Sequence, residues 1–225
     1  MELLKTILKQ STIEGERMPI ELICEEECKR YGFTIISGAN SQGKTTLAQN
    51  IAVNAAKKGI GCLFISNEHF SNQTANRIAS ICDGYTNLPI YIEDRCSTMT
   101  DLLMAIGVCQ GFVYGTPKII IIIDNLDRIK NVDNDSIYEL QDIASRLNLR
   151  IVGVIRMKED ESGDPHPKLK NVMLDTTAAD IVYLTNIEHD TAIKIICAKA
   201  RYSDTFERVY QFDKCSGKIG ELIKL

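Results

Sequence analysis

The sequence predicts an α/β fold: a mainly parallel, twisted sheet flanked by helices, with antiparallel strands added at its C-terminal end. Three features carry that expectation. Short apolar runs bounded by turn residues alternate with segments whose apolar residues recur at helical spacing, the pattern of a parallel sheet covered by helices. One run, Ile119 to Ile123, is apolar without interruption, as a strand buried on both faces must be. After Asp180 the strand-like segments follow one another with only short polar turns between them, which requires antiparallel pairing.

Taken in order, Leu3, Leu4, Ile7 and Leu8 form one apolar stripe on a short N-terminal helix, which is marginal alone and needs a surface, either its own domain or a neighbour's. Residues 1–31 therefore read as a helical extension or linker and 32–225 as one ATPase-sized domain. Strands are expected at Phe33 to Ser37, Gly61 to Ser66, Ile90 to Ile92, Lys118 to Asp124, Arg150 to Ile155 and Asp180 to Thr185. Helices are expected at Gly43 to Lys57, Ser71 to Cys82, Thr98 to Gly111 and Ser136 to Asn148. The last of these shows the spacing well, with Ile137, Leu140, Ile143, Ala144 and Leu147 on one face. Ala192 to Lys199 and Thr205 to Phe212 make the antiparallel addition. Pro89 and Pro117 sit just before strands, and Pro165 and Pro167 fall in a polar loop from Lys158 to Lys170.

Composition narrows the class. With 44% hydrophobic and 25% charged residues, 14 Gly and 5 Pro in 225 residues, the chain is neither disordered nor collagen-like. No apolar run approaches the roughly 20 residues that cross a bilayer, and Glu2, Lys5 and Lys9 interrupt the start where a signal peptide would be apolar. The expectation is a soluble cytoplasmic protein with no membrane partner. A net charge of −4 provides no global field for nucleic acid, so any such contact must be local. Eight scattered cysteines read as reduced thiols, and Cys24 and Cys28 have no second Cys/His pair to complete a metal site.

The chemistry concentrates after the first strand. Gly38-Ala39-Asn40-Ser41-Gln42-Gly43-Lys44-Thr45 matches G-x-x-x-x-G-K-[ST] between an expected strand and an expected helix, the context the motif requires. In such a loop backbone N–H groups and the helix N-terminus face phosphates. Gly38, Asn40, Ser41, Gln42, Gly43, Lys44, Thr45 and Thr46 are thus the candidate residues for ATP, with Lys44 on the β- and γ-phosphates and Thr45 on Mg²⁺. The buried strand from Lys118 ends in Asp124, which is placed to hold the same Mg²⁺ through its water shell, unless it is a turn or capping aspartate. Hydrolysis also needs a carboxylate to orient water. The residue after Asp124 is Asn125, so Glu68, at the end of the second strand, is the candidate base; the alternative is that it stabilises the helix starting at Ser71.

Four stretches, GANSQGKTTLAQNIAVNAA, CLFISNEHFSNQTANRIAS, IIIIIDNLDRI and TAADIVYLTNIEHDTAIKIICAKARYSDTFERVYQFD, resemble the RecA-like motor domain of hexameric replicative DNA helicases of the DnaB type, within the P-loop NTPases. The resemblance implies that Glu68 is the catalytic glutamate. It also implies that Lys199 and Arg201 form the Lys-x-Arg that reaches the γ-phosphate of a neighbouring subunit; by itself Arg201 is equally compatible with a solvated surface arginine. It further implies a hexameric ring or filament of identical subunits, single-stranded DNA as a partner, and replication or regulatory proteins as others. Three departures stand out. Only about 32 residues precede the first strand, where the family has an N-terminal helical domain. Arg156 occupies the position where the family has a γ-phosphate-sensing Gln. The loops Asp127 to Asp135 and Lys158 to Lys170, expected to face DNA, each sum to −1. The expected function is an oligomeric ATPase related to replicative helicases. The alternatives are a solitary ATPase using nucleotide as an assembly switch for a protein partner and, with less support because no arginine-rich lid is present, a small P-loop kinase.

Overall fold

A computed structural model describes residues 31–82, 88–112, 118–158 and 166–223. The N-terminal stripe from Leu3 to Leu8, Cys24 and Cys28, and positions 159–165 of the polar loop lie outside the described residues. The elements are β1 Gly32–Gly38, α1 Lys44–Lys57, β2 Gly61–Ser66, α2 Ser71–Ile81, β3 Ile90–Glu93, α3 Met99–Phe112, β4 Ile119–Asp124, α4 Asn134–Arg146, β5 Arg150–Arg156, β6 Ile181–His189, β7 Ala192–Ala200, β8 Phe206–Asp213 and β9 Lys218–Leu222. They form one sheet in the order β3-β2-β4-β5-β1-β6-β7-β8-β9. Pairings are parallel from β3 through β6 and antiparallel from β6 to β9, as the sequence predicts. Among the described residues no helix is long and apolar enough to cross a membrane.

The uninterrupted run in β4 is explained by its two faces. Ile120 and Ile122 pack with Leu47 and Ile51 of α1 and Ile78 of α2, whereas Ile121 and Ile123 pack with Leu102 of α3 and Ile137 and Leu140 of α4. Each of these isoleucines of β4 is at most 1% exposed, and burial of that extent is worth about 1.5–3 kcal/mol per side chain. Helix α4 begins two residues before the expected Ser136, because Asp133 accepts from the Ser136 backbone N–H while the Ser136 hydroxyl meets the Asp133 N–H, closing a capping box.

Two features lie outside the sequence-based expectation. The ninth strand, β9, pairs with β8 at the sheet edge, so the β7 to β8 hairpin is internal and not itself the edge. It is held from across the sheet by Asn50 of α1, which is 1% exposed. Asn50 Nδ2 donates to the carbonyls of Thr46 and Gly217 at 2.8 Å each, and its Oδ1 accepts from the Ile219 N–H at 3.1 Å. The second feature is the turn that follows β4. Asn125 adopts a left-handed conformation (φ 55°) and leads into a 3₁₀ turn, Leu126–Arg128. Leu126 is seated over β5 at Gly153, where a Cβ would stand 2.8 Å from Leu126 Cδ2, so only glycine leaves room for the turn.

Candidate active site

The C-terminal ends of β1, β4 and β5 lie side by side in the sheet, and loops leaving such strand ends form the crevice of an open α/β fold. The loop after β1 carries the phosphate motif. Gly43 sits at φ 83° as the residue capping α1, and a Cβ there would stand 2.6 Å from Ile193 Cδ1 of β7. Gly38 serves a different purpose from the expected curling of the loop: it remains in β1, and a Cβ would meet the Thr185 carbonyl of β6 at 2.7 Å. Gln42 fastens the loop from the other side, its Oε1 accepting from the Ile187 N–H at 2.7 Å. The first turn of α1 thus presents its N-terminus to the crevice, where peptide dipoles favour an anion.

The crevice is a cavity of about 480 Å³ lined by Asn40, Ser41, Gln42, Gly43, Lys44, Thr45, Thr46, Glu68, His69, Arg77, Asn125, Arg128, Arg156 and Ile187. In a chain of net charge −4, this lining holds four cationic side chains, Lys44, Arg77, Arg128 and Arg156, against one carboxylate, Glu68. The local field therefore has the sign that concentrates a polyanion. Lys44 folds back so that Nζ donates to the Ala39 carbonyl at 2.7 Å. Its burial lowers its pKa, opposed by the carboxylates of Asp124, Asp127 and Glu68.

Thr45 and Asp124 meet as expected, the hydroxyl donating to Oδ1 at 2.9 Å with Oδ2 at 3.2 Å. Asp124 is fully buried, and burial pushes its carboxyl up to about 6 despite the Thr45 hydrogen bond. A hydroxyl and a carboxylate at this spacing are hard oxygen donors of the kind that hold Mg²⁺ while leaving it most of its waters, so the residues present fit the ion. Among the described residues no cluster of three or more His, Cys, Asp and Glu offers a denser metal cage.

Glu68 points into the same cavity and is not a helix-capping group. The Ser71 N–H at the start of α2 donates instead to Asp94 Oδ2 at 2.6 Å. Glu68 Oε2 accepts from Asn125 Nδ2 at 2.7 Å, and Oε1 lies 4.0 Å from Arg128 NH1. The Asn125 hydrogen bond is the main reason its carboxyl lies below the ordinary range, with Arg128 adding to it and desolvation opposing. Asn125, which in sequence is only the residue standing where a base is absent, thus orients the carboxylate that takes its place. His69 and Arg77 pair with each other nearby (Nε2 to NH1, 2.8 Å); neither is signalled by a motif.

Lys199 and Arg201 lie elsewhere. Lys199 Nζ donates to the carbonyls of Thr176 and Thr177 at 2.8 Å each. Arg201 NH1 pairs with Asp180 Oδ1 at 2.9 Å, and its backbone N–H donates to the Asp180 carbonyl. Asp180 also accepts from the N–H of Phe33, at the start of β1. Phe33 and Gly38 are five residues apart along one strand, roughly 17 Å at the rise of a parallel strand. The pair is thus at the opposite end of the sheet from its own phosphate loop.

No protein-family model matches the chain, and no curated protein matches it in sequence. Solved structures do match. One, of the ATPase domain of a DnaB-like helicase, superposes with a TM-score of 0.75 at 17% identity, over 97% of this chain and 96% of that one. A DnaB-like replicative helicase, in a structure that concerns its interactions with primase, superposes with a TM-score of 0.75 at 17% identity, over 96% of this chain and 66% of that one. At this identity the likeness establishes the fold, which is the RecA-like ATPase-domain fold of DnaB-like helicases.

Proposed function

We propose that the chain is an ATP-binding and ATP-hydrolysing RecA-like motor domain related to replicative DNA helicases, acting as an oligomer on single-stranded DNA. The observation that carries this reading is the convergence of Lys44, Thr45, Asp124 and Glu68 on one cation-rich cavity at the strand ends. Lys44 exchanges the Ala39 carbonyl for phosphate oxygens, and the first turn of α1 supplies N–H donors to the same phosphates. Thr45 and Asp124 hold Mg²⁺, which when bound draws charge from the β- and γ-oxygens. Glu68, kept ionised and oriented by Asn125, accepts a hydrogen bond from the attacking water and receives its proton. Phosphoryl transfer needs little beyond such positioning and charge stabilisation.

Single-stranded DNA, partner copies and replication proteins such as a primase, which appears in the second structural neighbour, enter as proposed partners. The Asp127 to Asp135 loop bears on the DNA part. Its acidic sum includes Asp127, whose side chain is 2% exposed and neutralised by Arg156 outside the loop. Without it the loop is electrically balanced, which removes half of the sequence argument against DNA. The loop from Lys158 to Lys170 keeps its acidic excess. That excess favours the second reading, a solitary ATPase whose nucleotide state controls assembly with a protein partner.

The pair of substitutions Lys44→Ala and Glu68→Gln tests the site. Lys44→Ala is expected to lose ATP binding by calorimetry. Glu68→Gln is expected to keep ATP affinity within a few-fold and to lose turnover by about 10²-fold or more, because it retains shape and removes the base. Undiminished binding in the first, or normal turnover in the second, overturns the assignment.

A further inference from the structure

We infer that Arg156 is a cation for the terminal phosphate, supplied by the same subunit and held by Asp127 until a nucleoside triphosphate draws it away. The inference rests on the nucleotide reading of the cavity and deepens it.

Arg156 is the last residue of β5, paired in register with Gly38, the last residue of β1, so it stands beside the entry to the phosphate loop. It lines the same cavity as Lys44, and its charge is among those that lower the Lys44 pKa. Its side chain is 33% exposed, open to a ligand in the crevice.

The way it is held makes release possible. Asp127 uses both oxygens on Arg156, with Oδ2 on the side-chain Nε at 2.6 Å and Oδ1 on the backbone N–H at 3.2 Å. When the guanidinium swings out, the backbone N–H stays on Oδ1, so the buried carboxylate is not stripped of every donor. Orphaning it would otherwise be costly. A guanidinium has five N–H donors in a planar fork that matches phosphate oxygens, and a triphosphate held by Lys44 offers more negative charge than one aspartate. Asp127 and the terminal phosphate therefore compete for one cation. A diphosphate, lacking the terminal group, leaves Arg156 on Asp127.

The consequence is discrimination between triphosphate and diphosphate, which binding measures without catalysis. The full chain is titrated with fluorescent ADP and with a fluorescent non-hydrolysable ATP analogue in Mg²⁺, for wild type, Arg156→Gln, Arg156→Lys and Asp127→Asn. Arg156→Gln keeps an amide donor for Asp127 and is expected to weaken the triphosphate analogue by about 10- to 100-fold, the range of a charged hydrogen bond. ADP affinity should move by less than about threefold. Arg156→Lys, which keeps the charge but not the fork, should fall between, and it serves in place of Arg156→Gln if that variant does not fold. Asp127→Asn removes the competitor, so its preference for the triphosphate should equal or exceed that of wild type. If Arg156→Gln shifts both nucleotides equally or neither, or if Asp127→Asn loses the preference as Arg156→Gln does, Arg156 is a structural partner of Asp127 only. If wild type binds neither nucleotide, the nucleotide reading itself fails and this inference goes with it.

Discussion

At Asp124 the demands of chemistry and of stability oppose each other. The residue is fully buried, and burial raises its carboxyl from 3.8 to about 6. The folded state thus keeps this proton over a range where the unfolded chain has lost it. The contribution to stability is full below about pH 4 and is lost as pH rises through about 6, where the charge must be accommodated in the interior. Asp124→Asn removes that burden, so relative to wild type the nucleotide-free variant should gain stability between pH 4 and pH 7.5, by up to about 3 kcal/mol, while losing Mg²⁺-dependent nucleotide affinity. Thermal melts of both proteins at several pH values check this. A variant whose stability relative to wild type declines over that range contradicts it. Lys44, Thr45 and Asp124 were legible in the sequence because motif and flanking strand fix their geometry locally. Asn125 and Arg156 were legible only as departures from a pattern. Their roles come from contacts with Glu68 and Asp127, residues 57 and 29 positions away, which no local spacing encodes.

Among elements, β9 shows where local pattern is silent. Lys218–Leu222 is five residues with Gly220 in its middle, too short and too interrupted to announce a strand, and it exists because β8 pairs with it and Asn50 satisfies its turn. The parallel strands and four main helices, by contrast, follow from apolar periodicity, and the shift at the start of α4 reflects a capping aspartate outside the periodic stretch. Asn50 leaves α1 and β9 mutually dependent. Asn50→Leu is expected to strand the buried Ile219 N–H and Gly217 carbonyl and to destabilise the protein by about 1–3 kcal/mol. Urea unfolding measures the loss, and hydrogen exchange should show it greatest in β9. Unchanged stability would mean that the strand is held by its ladder alone.

For the whole molecule, the distribution of the site is the main issue. Phosphate loop, Mg²⁺ ligands and candidate base share one end of the sheet, while Lys199 and Arg201 stand at the other, beside Asp180 and the start of β1. An arginine there cannot serve its own loop, so it acts on a neighbouring subunit or only on Asp180. An arginine delivered from a neighbour can contribute ~10³ or more in rate, which makes assembly the central claim. The measurement that tests it most directly is the ATP hydrolysis rate per chain as a function of protein concentration, with and without single-stranded DNA. It is run on wild type, on Arg201→Ala, on Lys44→Ala and on a mixture of the two variants. The rate per chain in wild type should rise with concentration as assemblies form. Each variant alone should be inactive, and the mixture should recover part of the activity by pairing an intact phosphate loop with an intact arginine. A wild-type rate per chain independent of concentration, a fully active Arg201→Ala, or a mixture that co-assembles and stays inactive would contradict it.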